Sequence, residues 1–193
     1  MKLFWISCRF IIFALMLCAA RSAHSQDNLA NNTVLIIRHA EKYADKAHIG
    51  LNEAGVRRAK AYVSYFQPIR DGGLNLTITD LYAGADSKSS QRPRLTLEPL
   101  SQASGKPLDT TIKTEDAEAL VSLLRRSAHG NVPLVCWRHG QIPTLIRAFG
   151  GSPESLLPEG KWPDETFDWI VVLRFDQAGK LASQTMVRES LVP

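Results

Sequence analysis

Two short apolar runs in this chain end in the same dipeptide. Thr33–Ile37 leads into Arg38-His39, and Val132–Trp137 leads into Arg138-His139. Brief β-rich runs without polar alternation suit strands buried on both faces, which belong to a parallel sheet covered by helices. Helical periodicity fills the space between them. Val56, Ala59, Val63 and Phe66 recur at helical spacing and predict a helix over 53–66 capped by Asn52. Leu76–Ala83 reads as a further strand. Thr114 is placed to cap the next helix, with Glu115, Asp116 and Glu118 at its positive dipole end and a buried face of Ala117, Leu120, Val121 and Leu124. After His139-Gly140 a short helix presents Ile142, Leu145, Ile146 and Phe149 on one side. Trp169–Phe175 and Leu181–Arg188 flank Asp176-Gln177-Ala178-Gly179-Lys180, a hairpin signal. The expected fold class is α/β: a three-layer α/β/α arrangement with a mostly parallel sheet and a C-terminal antiparallel hairpin.

With 193 residues, 45% of them apolar, the chain is sized for one domain. Residues 1–25 have the build of a secretory signal peptide: Lys2 and Arg9, an apolar run over Phe10–Ala20, then small residues before Gln26. That run is too short to span a bilayer as a helix, which takes ~20 residues. A membrane anchor extended through Leu3–Ile6 is the alternative. The domain is then 26–193, exported to the periplasm or secreted, with its first polar residues, 26–32, expected to be loose. Of the 23 Lys plus Arg, three lie in the leader, which leaves 20 against 19 Asp plus Glu and a net charge of +1, not +4. A nucleic-acid partner has little support at that balance. Cleavage removes Cys8 and Cys18, leaving Cys136 as a core residue with no disulfide partner.

In open α/β sheets, ligands bind beyond the carboxyl ends of the strands. Parallel neighbouring strands would bring His39 and His139 to one rim, each with an arginine beside it, and Arg92 or Arg94 could add a third cation. Such a pocket suits phosphate, because the guanidinium fork pairs with phosphate oxygens. Nearby cations also keep an imidazole neutral. A neutral imidazole held through one ring N–H has its other nitrogen free to attack phosphorus.

The residues at these positions resemble a known family. Arg38-His39-Ala40-Glu41, then Leu51-Asn52-Glu53-Ala54-Gly55 with Arg57-Arg58-Ala59, are similar to the opening of the histidine phosphatase superfamily, whose fold is called phosphoglycerate mutase-like. Ser90-Gln91-Arg92 with Thr96 resembles its second element, and Trp137-Arg138-His139-Gly140 its late one. The resemblance implies that His39 is the nucleophile and forms a phosphohistidine. Arg38 and Arg92 would grip the phosphoryl group, with His139 as the second catalytic histidine on a phosphate oxygen and Arg94 as the rival to Arg92. Pro93 fits the first turn of a helix, and Pro99 is expected to break or kink that helix a turn later.

The proton donor for the leaving group is left open among Glu115, Asp116, Asp86 and Glu41. His48 and His129 read as surface residues, and Trp162, Phe167 and Trp169 as packing residues. The function expected is an exported phosphomonoesterase acting through phosphohistidine on a phosphorylated small molecule or an envelope sugar phosphate, with no metal or organic cofactor. The alternatives are a phosphotransferase or mutase on the same residues, and a pseudophosphatase that binds a phosphorylated ligand without turnover.

Overall fold

The first strand, β1 (Thr33–Arg38), is buried along its whole length and lies in the middle of the sheet. Around it, in a computed structural model that describes residues 28–191 apart from 46 and 128, are α1 (Glu53–Tyr65), β2 (Asp80–Ala83), α2 (Arg92–Ser104), β3 (Leu108–Asp109), α3 (Ala117–Arg125), β4 (Pro133–Trp137), α4 (Ile142–Ala148), β5 (Trp169–Phe175) and β6 (Leu181–Arg188). The expected leader, with Cys8 and Cys18, lies outside the described residues. Six strands form one sheet in the order β3-β2-β4-β1-β5-β6. The β1–β4, β4–β2 and β2–β3 pairs are parallel. The antiparallel part exceeds the expected hairpin, because β5 also runs antiparallel to β1.

Alternation along the central strands divides the core into two layers. Leu35, Ile37, Leu134, Cys136, Ile170 and Val172 pack on one face with Tyr62 and Phe66 of the α1 region and Leu97 and Leu100 of α2. Val34, Ile36, Val135, Trp137 and Val171 pack on the other with Leu120, Val121 and Leu124 of α3 and Leu145 and Ile146 of α4. This is the expected three-layer α/β/α arrangement. Among the described residues, no helix is long and apolar enough to cross a membrane.

Several local expectations are corrected. Residues 28–32 are not loose: Leu29 and Ala30 are buried, and the Asn31 N–H donates to the Asp176 carbonyl at 2.9 Å. Asn52 caps α1 as expected, its side chain accepting from Gly55 N–H at 2.9 Å, but the buried face is turned toward Gly55, Arg58, Ala59 and Tyr62, which leaves Val56 exposed. The cause is Arg58, whose guanidinium is drawn inward by two carboxylates.

The second strand begins only at Asp80, because Leu76 pairs with Ile69 in an isolated bridge. Helix α3 is capped by Asp116, which accepts from Ala119 N–H at 3.3 Å, and not by Thr114, whose carbonyl receives the Trp137 indole N–H at 3.0 Å. Helix α2 continues through Pro99 to Ser104. A proline removes one N–H from the ladder, and the burial of Leu97 and Leu100 on either side offsets that loss. Trp162 and Trp169 pack with ring centroids 5.6 Å apart in the core, as expected.

Candidate active site

The parallel pairing of β1 with β4 matches Arg38 to Trp137, and the His39 N–H continues the ladder to the Trp137 carbonyl at 3.1 Å. His39 and His139 therefore leave adjacent strand ends, with ring centroids 6.2 Å apart and planes nearly perpendicular. His39 is buried. Its Nδ1 lies 2.8 Å from the Ala40 carbonyl. A carbonyl can only accept, so Nδ1 carries the hydrogen and Nε2 keeps its lone pair. Burial, reinforced by the charges of Arg38 and Arg92, lowers the pKa of this imidazole to about 3. The ring is neutral throughout the ordinary pH range.

The turn after His39 is fixed from two directions. Ala40 N–H donates to Thr96 Oγ1 at 2.9 Å, and that hydroxyl donates to the Arg92 carbonyl at 2.8 Å, which ties the turn to the start of α2. Glu41 accepts from Arg58 Nε at 2.9 Å, and Arg58 also pairs with the buried Glu189. Gly55 is required at this point, because a Cβ there would lie 2.3 Å from the Glu41 carbonyl oxygen.

Arg38 is buried and has no carboxylate partner among the described residues. Its Nη1 donates to the carbonyls of Pro163, Asp164 and Thr166, the first and last at 3.2 Å, and the Phe167 ring lies 4.0 Å from its guanidinium carbon. Burial lowers its pKa to about 10, so it stays charged. Its Nε and Nη2 are buried with no partner. Unpaired buried donors on a cation are costly unless a ligand fills them. His139 is similar in this respect. Its Nε2 lies 2.8 Å from a carboxylate oxygen of Asp164, while its Nδ1 is buried and unpartnered. Burial, with Arg38 nearby, holds the His139 pKa below the usual histidine range, against the opposing pull of Asp164.

Of the two arginines on α2, Arg92 has no carboxylate partner among the described residues, and its charge acts on His39. Its Nε and Nη2 donate to the carbonyls of Gly50 at 3.2 Å and His48 at 2.9 Å. Arg94 is held in ion pairs with Asp86 and Glu98, both at 3.0 Å. His48 is exposed, 3.2 Å from Asp45, and His129 is also exposed.

The four carboxylates proposed as proton donors have separate environments. Glu41 is held by Arg58, and Asp116 caps α3. Asp86 pairs with Arg94, and Glu115 lies 2.8 Å from Arg138 Nη1. Asp86 and Glu115 both line a cavity of about 560 Å³ over the ends of β2 and β4, together with Lys88, Ser90, Lys113 and Arg138. A smaller opening of about 170 Å³ is lined by Glu41 and Phe167.

Sequence reasoning missed the Lys161–Asp168 segment. Asp164 is within hydrogen-bond reach of His139, and the same segment holds Arg38 through main-chain carbonyls, which carry no side-chain signature. Phe167, read as a packing residue, lies over the guanidinium. An aromatic-rich stretch following the second Arg-His pair was the available signal.

This α/β arrangement is the phosphoglycerate mutase-like fold. Its solved neighbours include the protein histidine phosphatase SixA in complex with tungstate, at 17% identity and a TM-score of 0.51 over 79% of this chain and 95% of that one. A phosphoserine phosphatase variant from Entamoeba histolytica in complex with phosphoserine matches at 12% identity and 0.53, covering 79% and 96%. A phosphoglycerate mutase from Plasmodium falciparum matches at 16% and 0.51, covering 85% and 95%. No protein-family model matches the sequence, and no curated protein does. The likeness is one of fold.

Proposed function

We propose that this protein is a phosphomonoesterase that works through a phosphohistidine on His39. The observation that carries the reading is the neutral His39, with Nδ1–H anchored on its own turn, beside the buried, unpartnered donors of Arg38. These residues match the Arg-His element of a fold whose solved neighbours include two phosphatases and a phosphoglycerate mutase.

In the first step His39 Nε2 attacks phosphorus, the bond from phosphorus to the ester oxygen breaks, and the leaving oxygen takes a proton from a carboxylic acid. Arg38, Arg92 and His139 Nδ1 bind the equatorial oxygens, where charge builds up in the transition state. In the second step water attacks the phosphohistidine, the carboxylate takes the water's proton, and the P–N bond breaks to release phosphate and restore His39.

Glu115 is the carboxylate we assign to this work. It lines the larger cavity, and its pair with Arg138 is exposed, so it can open when substrate enters. Asp164 acts through His139. A carboxylate on Nε2 stabilises the imidazolium form, which has an N–H at Nδ1 to give to a phosphate oxygen. The substrate is a phosphorylated small molecule or sugar phosphate, and the chemistry uses no metal or organic cofactor. The build of residues 1–25 supports export. N-terminal sequencing of the protein from fractionated cells tests this, with a start near Gln26 expected and an intact Met1 in the cytosol against it.

Release of phosphate from p-nitrophenyl phosphate, measured with EDTA present, is the direct test. Turnover in the native protein and none in His39→Ala supports the proposal. Equal rates in the two would remove His39 as nucleophile. Phosphate passed to an added alcohol in place of water would make the enzyme a phosphotransferase. No turnover in a folded protein stabilised by vanadate would make it a binding protein.

A further inference from the structure

The larger cavity is lined by immediate neighbours of the phosphoryl-pocket residues. Arg138 lines it and precedes His139, and buried Ser90 lines it while its hydroxyl accepts from the Arg92 N–H at 3.3 Å. The 161–168 segment holds Arg38 through its carbonyls, and the opening lined by Glu41 and Phe167 is the smaller of the two. The alcohol part of an ester held on His39 therefore extends into the larger cavity.

The lining describes that alcohol. No aromatic ring borders the cavity, and every lining residue except Ala85 and Pro93 has a hydroxyl or a charge. Its two carboxylates are already paired, Asp86 with Arg94 and Glu115 with Arg138. Lys88 and Lys113 remain, and among the described residues neither has an ion-pair partner.

Both lysines stand on fixed backbone. Lys88 is at the tip of a turn closed by Ser87 N–H to the Ser90 carbonyl at 2.9 Å. The Lys113 carbonyl accepts from Asp116 N–H at 2.9 Å, and the neighbouring Ile112 carbonyl accepts from Ala85 N–H at 2.8 Å. The next residue, Thr114, packs so closely on Gly84 that a Cβ there would lie 2.1 Å from its methyl group. Two uncompensated cations on fixed turns beside a phosphoryl site form a preorganised anion subsite.

We propose that Lys88 and Lys113 bind a second anionic group on the substrate, a phosphate or a carboxylate carried by a hydrophilic alcohol. This rests on the phosphatase reading for the placement of the ester, and its test is a binding measurement that does not need turnover.

The experiment uses full-length His39→Ala protein and isothermal titration with glucose 6-phosphate, 6-phosphogluconate and glucose 1,6-bisphosphate. At low ionic strength at least one of the two doubly anionic ligands should bind about tenfold tighter than glucose 6-phosphate, the size expected of two exposed ion pairs. The tighter of the two identifies the second anion as carboxylate or phosphate. Added Lys88→Gln and Lys113→Gln should reduce that preference to less than about threefold, and high salt should do the same without any substitution.

A preference that survives the double substitution, equal binding of all three ligands, or no binding of any of them overturns the proposal. Hydrolysis of p-nitrophenyl phosphate by the native protein with equal binding of the three ligands would remove the subsite alone. A lysine-dependent preference in a protein that hydrolyses nothing would remove the phosphatase reading and leave the subsite in place.

Discussion

Arg38-His39 and Arg138-His139 are the same dipeptide at the ends of adjacent parallel strands, yet their surroundings differ. The first pair is enclosed: Arg38 is bound by main-chain carbonyls and His39 by the carbonyl of its own turn, with no carboxylate on either. The second is more open and bound by side chains, Arg138 to Glu115 and His139 to Asp164. Carbonyl partners leave the charge of Arg38 intact, and burial keeps His39 neutral. Carboxylate partners screen Arg138 and favour a proton on His139. Register accounts for part of the difference: Arg38 is matched to Trp137, so the second pair stands one residue further along the ladder. One dipeptide thus provides a neutral nucleophile in one place and, in the other, a histidine that a carboxylate pulls toward its protonated form.

Substitutions can break that contrast. His39→Ala should lower phosphate release by roughly 10⁴-fold or more, as expected when a nucleophile that acts as part of a unit is removed. Arg138→Ala should cost about tenfold or less, and a larger loss there than at His39 would reverse the roles of the pairs.

The same logic separates the arginines of α2. Arg92→Ala removes an unneutralised cation and should lower kcat/KM by about 100-fold, the scale of a lost transition-state donor. Arg94→Ala, which removes only ion pairs with Asp86 and Glu98, should stay within about threefold. The reverse order in a steady-state comparison would move the phosphate clamp.

Asp164→Asn sharpens the account of the second pair. Asp164 raises the His139 pKa, so its loss should shift the alkaline limb of the kcat/KM profile to lower pH, with a fall of about tenfold near neutrality. A uniform loss with an unshifted profile would make Asp164 merely structural. Asp164→Glu should restore the limb in part.

A further effect is on stability. The His39 pKa is lowered from 6.5 to about 3 in the folded protein, so the unfolded chain binds the extra proton as the pH falls through that window. Stability should then decline by about 1.4 kcal/mol per pH unit from this group. Urea melts across the window should show a shallower decline in His39→Ala, and identical slopes would remove the assignment.

The elements most legible in sequence were those buried by simple apolar pattern: the core of β1, most of β4, the face of α3, and the β5–β6 pair with its hairpin. The face of α1 was misread because apolar spacing alone does not register Arg58, which two carboxylates distant in sequence draw inward. Pro99 misled for a related reason, since tertiary burial outweighs one missing hydrogen bond. In the candidate site, His39, His139, Arg38 and Arg92 stand on strand ends and a helix start, where local pattern is informative. Asp164 stands in an irregular segment of a chain that folds back from far along the sequence, and no spacing rule reaches it.

Arg58 also has a meaning for how such a chain changes over generations. It joins Glu41, two residues past the candidate nucleophile, to Glu189, just beyond β6, and all three are largely shielded from water. Losing one member leaves another charge stranded at a cost of about 3–5 kcal/mol, whereas replacing the set together by apolar groups need not. Positions 41, 58 and 189 should therefore be inherited and altered as a set, so the residue after β6 is constrained by the turn that carries His39, on a separate strand of the same sheet.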